Sequence, residues 1–139
     1  MIKSVMTPFP YFVDMDASLS SAKEMMTEHG ISHLPVIEKG RLANVITQEE
    51  ISRGMNANAP GADGRHQCVR DVCKAEAYIV ELTERLDVVL LHMARTHIDC
   101  ALVVKHGRLA GIFTIRDACR CFGEWLRSQW SGGNGHDAA

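Results

Sequence analysis

An internal repeat constrains the fold of this chain more than any other feature of its sequence. When residues 1–51 are aligned without gaps to residues 68–118, 12 of the 51 positions are identical. Ordinary amino-acid composition would give only about 3 to 4 identities by chance. The tetrapeptide Gly40-Arg41-Leu42-Ala43 recurs unchanged as Gly107-Arg108-Leu109-Ala110. We therefore infer a duplication that produces two copies of one structural unit.

The hydrophobic pattern predicts the same elements in both copies. A short β-prone run precedes a helix whose apolar residues recur at spacings of three and four. Asp16 or Ser18 and Thr83 are candidate N-caps of these helices, and Gly30 is expected to end the first one. Two further β-prone runs around a glycine turn predict a hairpin, and a second helix is expected after Thr47 or Thr114. Each copy is thus predicted to be β-α-β-β-α, in an α+β fold.

Composition along the chain predicts where the units begin and end. Residues 1–55 are assigned to the first repeat, and residues 68–130 to the second repeat with an extended C-terminal helix. Residues 56–67 are rich in glycine and small polar residues and are predicted to be a linker, and residues 131–139 are predicted to be a disordered tail. The extended helix carries an apolar stripe that includes Trp125. Such a stripe predicts an interface, because large apolar patches are rare on monomers.

Charge and cysteine content exclude several classes of protein. Fifteen lysine and arginine residues against seventeen aspartate and glutamate residues give a formal net charge of −2. This charge provides no general field for a nucleic-acid backbone or an anionic membrane. No apolar run approaches the roughly 18 residues of a spanning helix, and five cysteines without zinc-site spacing are typical of reduced thiols. We expect a cytoplasmic protein without nucleic-acid or membrane partners.

Three segments resemble a known family in their content and order. They are Val5-Met6-Thr7, Gly30-Ile31-Ser32-His33-Leu34-Pro35-Val36 and Gly111-Ile112-Phe113-Thr114-Ile115-Arg116-Asp117. Together they resemble the paired cystathionine-β-synthase (CBS) domains, also called a Bateman module. The resemblance covers nearly the whole chain. It implies two repeats packed with pseudo-two-fold symmetry, a regulatory rather than a catalytic role, and adenine nucleotides or S-adenosylmethionine bound in two clefts between the repeats.

The resemblance implies a first cleft held by residues of both repeats. Ile31 and Ile112 would enclose the adenine, and Asp117 would accept hydrogen bonds from the ribose, as an acid does in dinucleotide folds. The helix start at Thr114 favours an anionic group, and Gly111 is expected to let the ligand approach the backbone. From the residues alone, Thr114 and Asp117 also form a capping box. The predicted ligand-binding residues are Thr7, Phe12, Ile31, Ser32, Asp99, Cys100, Ile112, Thr114 and Asp117.

The symmetric cleft departs from the family pattern. Asn44 replaces the glycine, which brings a side chain to the place where a ligand should approach, and Glu50 replaces the aspartate. Asp99 is expected near both clefts and would oppose a polyphosphate, which favours a ligand with few negative charges or the cationic S-adenosylmethionine. We expect this second cleft to bind weakly or to be empty. Its predicted residues are His33, Thr47, Glu50, Lys74 and Ile98.

The sequence thus predicts a non-enzymatic regulatory module that binds AMP, ADP, ATP or S-adenosylmethionine and transmits a conformational change to an effector protein. We expect no obligatory cofactor or metal, and a homodimer through helices that include Trp125. One alternative is a dimerisation scaffold whose clefts no longer bind, which Asn44 and Glu50 favour. The other is a metal or redox sensor that uses histidines and cysteines. Its candidate pairs are His29/His33, His92/His97, His66/Cys68 and Cys119/Cys121.

Overall fold

The computed structural model describes residues 1–56, 67–74 and 76–131. The first half contains a 3₁₀ turn (Ile2–Ser4), β1 (Thr7–Pro8), β2 (Val13–Asp14), α1 (Leu19–His29), β3 (His33–Glu38), β4 (Arg41–Thr47) and α2 (Gln48–Met55). The second half contains α3 (Val69–Val72), β5 (Ile79–Glu81), α4 (Leu86–Thr96), β6 (Cys100–Lys105), β7 (Arg108–Thr114) and α5 (Ile115–Ser131). The predicted α+β class with a repeated β-α-β-β-α order is confirmed.

The predicted boundaries between the units stay predictions. Most of the linker predicted at 56–67 and most of the tail predicted at 131–139 lie outside the described residues. Within the described ranges, no helix is long and apolar enough to cross a bilayer.

Local sequence explains where the first long helix begins and ends. Ser18 Oγ accepts a hydrogen bond at 3.0 Å from a backbone amide in the first turn of α1. Gly30 ends α1 with a φ of 63°, in the left-handed region that glycine adopts without steric cost. The predicted N-cap Thr83 is wrong, because α4 begins after Arg85 and has no side-chain cap. Asp87 instead places a negative charge in the first turn of α4, where the helix dipole favours it.

Both predicted hairpins are present and turn in the same way. Lys39-Gly40 has φ values of 53° and 77°, and His106-Gly107 has φ values of 54° and 77°. Two consecutive positive φ values are typical of a type I′ turn, whose twist matches that of the flanking strands. The glycine in each turn is therefore required by the backbone conformation.

The strands form two sheets that pack against each other. One sheet has the order β2-β3-β4, and the other has the order β1-β7-β6-β5. Val45 of β4 lies in one buried cluster with Cys100 and Leu102 of β6 and with Ile112 of β7. This cluster joins the two halves through the inner faces of their sheets.

Each half contributes its N-terminal segment to the core of the other half. Ile2 is fully buried in the apolar cluster of the second half, and its amide donates to the carbonyl oxygen of Glu84 at 2.9 Å. Val69, at the equivalent position in the repeat, is fully buried in the first half and donates to the carbonyl oxygen of Ala17 at 2.8 Å. The sequence gives no sign of this exchange. It ties the two halves together by buried side chains and by backbone hydrogen bonds.

Substitution of Ile2 tests the exchange. We expect Ile2→Ala to lower the free energy of unfolding by about 2–5 kcal/mol, because it leaves a cavity in the core of the second half. The matched control is Lys3→Ala, which changes the exposed neighbour and should alter that free energy by no more than about 0.5 kcal/mol. Urea unfolding followed by circular dichroism measures both values. Equal effects of the two variants would contradict the exchange.

Candidate functional site

A cavity of about 980 Å³ lies between the two halves. This volume is at the upper end of the roughly 300–1,000 Å³ that is typical of small-molecule sites. Its walls come from α1, β3 and α2 of the first half and from β7 and the start of α5 of the second half. Thr7 also lines it, because β1 pairs with β7 across the division between the halves. We call this cavity the shared cleft.

The structure brings most of the predicted first-cleft residues together. Those that line the shared cleft are Thr7, Ile31, Ser32, Asp99, Ile112, Thr114 and Asp117. Phe12 and Cys100 are not among the lining residues. Tyr11 lines the cleft in place of its exposed neighbour Phe12. Asp99 lines the cleft, whereas the next residue, Cys100, is 5% exposed and packs between the sheets.

Asp117 is a buried carboxylate in the wall that the second half contributes. Its Oδ2 accepts hydrogen bonds from the amide of Thr114 at 2.9 Å and from the hydroxyl of Thr114 at 3.2 Å. Its Oδ1 accepts from the hydroxyl of Thr7 at 3.4 Å and pairs with the guanidinium of Arg120 at 3.1 Å. A carboxylate has about four acceptor positions. A ligand hydroxyl must therefore share Oδ1 with these groups or displace one of them, and the half-exposed Arg120 is the more easily displaced.

Glu50 holds the equivalent position in the first half and is also buried. Its Oε1 accepts from the amide of Thr47 at 3.0 Å and from the hydroxyl at 3.3 Å, and its Oε2 accepts from the amide of Lys74 at 3.0 Å. These bonds bring Thr47, Glu50 and Lys74 together. His33 instead lines the shared cleft. Ile98 is half-buried in the turn between α4 and β6.

Gly111 has a structural role that differs from the one expected. A Cβ atom at Gly111 would collide with the side chain of Met6 and lie 2.9 Å from the carbonyl oxygen of Thr7. The expectation that this glycine lets a ligand approach is therefore corrected, because the exchanged N-terminal segment fills the space. At the equivalent position, Asn44 accepts a hydrogen bond from the amide of Val45 at 2.8 Å. Among the described residues, no strand pairs with β4 on this side.

The shared cleft contains charges of both signs. Its cationic side chains are Lys23 on α1 and Arg116 and Arg120 on α5, and its carboxylates are Asp99 and Asp117. Arg120 pairs with Asp117, whereas Lys23 and Arg116 have no ion pair with any described residue. The helix dipole adds partial positive charge at the start of α5, where the amides of Ile115 and Asp117 already donate to the carbonyl oxygen of Asp99 and to Oγ1 of Thr114. The cleft therefore offers both a hydrogen-bond acceptor and a cationic region.

His33 adds a neutral polar group to the cleft wall. Burial lowers the pKa of His33, and this effect exceeds the opposing influence of Asp99, which raises it. The imidazole is therefore mainly neutral at pH 7, and its Nδ1 lies 3.1 Å from Oγ of Ser32. A neutral imidazole and a hydroxyl can each donate and accept hydrogen bonds. His33 and Ser32 are therefore suited to hydrogen-bond the polar edge of a ligand ring rather than to bind a charged group of the ligand.

The described residues contain no group of three or more His, Cys, Asp or Glu side chains placed to hold a metal ion. His29 and His92 stack instead on Tyr11 and Tyr78, with ring centroids 3.7 Å and 4.1 Å apart. His66, from one of the candidate metal-binding pairs, lies outside the described residues. The part of the chain that the structure describes therefore offers no assembled metal centre.

Two cysteines near the sheets have thiols of low reactivity. Burial, with a contribution from Asp99, raises the pKa of Cys100 to about 12. Burial, with a contribution from Glu50, raises the pKa of Cys73 to about 11. The thiolate is the reactive form of cysteine, so both side chains are weak nucleophiles at neutral pH. Neither gives support to a redox-sensing role.

The sequence matches the family model described as the CBS domain over residues 2–56 and 69–124. L-aspartate semialdehyde sulfurtransferase of Methanocaldococcus jannaschii is 25% identical over 125 residues, which cover 88% of this chain and 23% of the relative. Zinc metalloprotease MJ0392 of the same organism is 30% identical over 118 residues, which cover 85% of this chain and 31% of the relative. This chain thus spans about a quarter to a third of these two proteins.

Solved structures have the same fold. A protein provisionally assigned to acetoin utilization (AcuB) from Vibrio cholerae has a TM-score of 0.82 and 21% identity, with 94% of this chain and 95% of that chain covered. The CBS domain pair of protein MJ0100, in complex with 5′-methylthioadenosine and S-adenosyl-L-methionine, has a TM-score of 0.76, 23% identity, and coverage of 88% and 98%. CBSX2 in complex with AMP has a TM-score of 0.73, 20% identity, and coverage of 90% and 97%.

Substitution of Gly111 tests the pairing of β1 with β7. We expect Gly111→Ala to lower the free energy of unfolding by about 1–3 kcal/mol, because the new methyl group overpacks against Met6 and Thr7. The matched control is Gly123→Ala in α5, where an added Cβ meets nothing within 4 Å. This variant should raise the free energy of unfolding by about 0.5–1 kcal/mol through helix propensity. A Gly111→Ala variant as stable as the wild type would contradict the close pairing of β1 with β7 at this position.

Proposed function

The chain belongs to the CBS domain family, and from this premise we propose that it is a regulatory module that binds an adenosyl ligand in the shared cleft. The observation that carries the proposal is that both halves line one cleft of ligand size around the buried Asp117. Similar CBS pairs support it, since one was solved with 5′-methylthioadenosine and S-adenosyl-L-methionine and another with AMP.

The lining residues suggest how the ligand lies. The adenine packs between the side chains of Ile31 and Ile112, which come from opposite halves. The ribose hydroxyls donate to Oδ1 of Asp117, with Arg120 moving aside to release that oxygen. His33 and Ser32 are placed to meet polar atoms of the ligand. These contacts use a carboxylate as an acceptor, as nucleoside recognition commonly does.

The charges of the cleft favour a ligand with few negative charges. Lys23 and Arg116 have no carboxylate partner among the described residues, and they attract an anionic 5′ substituent, as does the start of α5. Asp99 is also in the wall and repels a long polyphosphate. AMP balances these two influences best within the proposed set of AMP, ADP, ATP and S-adenosylmethionine.

Regulation follows from the shared construction of the cleft. A ligand that contacts both halves stabilises the arrangement in which both sets of contacts exist, and it shifts the population by its differential affinity. A coupling free energy of about 1–3 kcal/mol is typical of such linkage. The change then passes to an effector protein or to a second copy of this chain.

The exposed side of α5 supports the proposal of a homodimer. Phe122, Trp125 and Trp130 each have more than half of their surface exposed, and the Phe122 and Trp125 rings stack with centroids 6.1 Å apart. Exposed aromatic side chains of this kind are typical of protein contacts. A scaffold whose clefts do not bind would use the same surface, so ligand binding must be tested separately from dimerisation.

A pair of matched substitutions tests the ligand site. We expect Asp117→Asn to weaken AMP binding at least tenfold, because the neutral amide is a poorer acceptor than the carboxylate. Glu50→Gln makes the same chemical change at the equivalent buried helix start and should alter AMP affinity by less than twofold. Isothermal titration calorimetry measures both affinities, and circular dichroism verifies that both variants fold.

Three outcomes would contradict this assignment. Equal loss of AMP affinity in the two variants would remove the preference for Asp117. If none of AMP, ADP, ATP and S-adenosylmethionine binds detectably to a protein that still dimerises, the scaffold would be favoured. Thermal stabilisation by zinc alone, reversed by a chelator, would favour the metal sensor.

Truncation of Trp125 tests the dimer. We expect Trp125→Ala to shift the sedimentation coefficient toward that of a monomer, because it removes the central ring of the exposed stripe. Arg127→Ala, on the same helix, is the control and should leave the association unchanged. A Trp125→Ala protein that sediments as the wild-type dimer would exclude this surface as the interface.

A further inference from the structure

The turns of the two hairpins lie beside each other at the ends of the strands that are remote from the shared cleft. Nη1 of Arg41, at the first turn, lies 3.8 Å from the position that a Cβ on Gly107 would take at the second turn. The cleft is lined at the opposite ends of the same strands, by His33 at the start of β3 and by Thr114 at the end of β7. The nearest lining residues, Pro35 of β3 and Ile112 of β7, lie four positions from Lys39 and Arg108, which corresponds to about 13 Å.

Basic side chains are concentrated at these turns. We call them the basic hairpin surface, and its members are Lys39, Arg41, Lys105, His106 and Arg108. All five residues are exposed, and none of the five forms an ion pair with a described residue. This concentration contrasts with the net charge of −2 of the whole chain. The surface is therefore a region of positive charge on a protein whose net charge is negative.

The repeat itself shows that the positive charge is not required by the hairpin. In the first hairpin, Glu38 lies opposite Arg41, so the cross-strand pair has complementary charges. In the second hairpin, the equivalent pair is Lys105 opposite Arg108. Like charges directly opposite each other destabilise a sheet. The second hairpin thus places like charges opposite each other where the first places opposite charges, and the carboxylate of Glu38 is itself ion-paired with Arg70 rather than with Arg41.

We propose that the basic hairpin surface docks an acidic segment of a partner protein. Carboxylates of such a segment would neutralise Lys105, Arg108 and Arg41 together, which no described side chain of this chain does. The surface is formed by protruding turns of both halves rather than by a cavity, so it fits an extended segment better than a small anion. This inference does not depend on the proposed ligand, because the surface lies away from the shared cleft.

Neighbouring carboxylates argue against a nucleic-acid partner. Glu81 of β5 pairs in register with Val104, next to Lys105, and Glu38 borders the surface on the other side. These groups confine the positive region and would repel a phosphate backbone that extends beyond it. Specific duplex contacts commonly neutralise about 6–10 phosphates, which is more than this surface can offer. Electrostatic complementarity with a short acidic segment needs only a few charges.

Lys105→Glu tests the proposal, because it places a carboxylate opposite Arg108, as Glu38 stands opposite Arg41 in the first hairpin. The probe is a fluorescein-labelled decapeptide of alternating Glu and Asp, with binding followed by anisotropy at low salt. We expect the variant to bind this peptide at least tenfold more weakly. We also expect its Tm to rise by about 1–3 °C, since the repulsive pair is replaced by an attractive one. Arg53→Glu, the same change of charge on the exposed face of α2, should bind within twofold of the wild type.

Several results would overturn the proposal. They are the absence of peptide binding to the wild type, an equal loss of binding in Arg53→Glu, and tighter binding of a single-stranded dT decamer than of the acidic peptide. The last result would assign the surface to nucleic acid. A lower Tm for Lys105→Glu would show that the cross-strand pair is not repulsive, and it would remove the structural argument for a partner.

Discussion

The exchange of N-terminal segments is the contact on which the rest of the structure depends. Ile2 completes the core of the second half, and Val69 completes the core of the first half. Neither half can therefore bury its own apolar residues fully without the other. The same exchange carries β1 across the division and places Thr7 within hydrogen-bond distance of Asp117. The cleft exists because the cores of the two halves are built together.

Small differences between the copies make the two equivalent regions unlike each other. Gly111 gives space to Met6 and lets β1 pair with β7, whereas Asn44 carries a side chain at the same position of β4. Glu50 uses its longer side chain to bond the amide of Lys74 as well as the start of its own helix. Asp117 is shorter, and its Oδ1 is shared between Thr7 and the half-exposed Arg120. Both carboxylates make internal hydrogen bonds, and Asp117 is the one that lines the shared cleft.

Much of the fold could be predicted from sequence because the relevant signals are local. Only a few neighbouring residues determine the glycine turns, the cap at Ser18 and the helix end at Gly30. The repeat also shows the pattern of each element in two places. The destination of Ile2 could not be predicted, because an apolar residue near a terminus does not specify which core it enters. The place of Lys23 in the cleft was missed for a related reason: an exposed lysine on a helix gives no sign of the opposing wall. The place of Tyr11 rather than Phe12 in the cleft wall could not be predicted, because neither residue lies in a regular strand whose pattern would show which of them faces the cleft.

The central claim is that one cleft, built by both halves, holds an adenosyl ligand. A crystal structure of the protein with AMP tests it most directly. The account predicts the adenine between Ile31 and Ile112, with a ribose hydroxyl within hydrogen-bond distance of Oδ1 of Asp117 and Arg120 displaced from that oxygen. AMP bound to one half alone, or Arg120 still paired with Asp117 at saturating AMP, would contradict it.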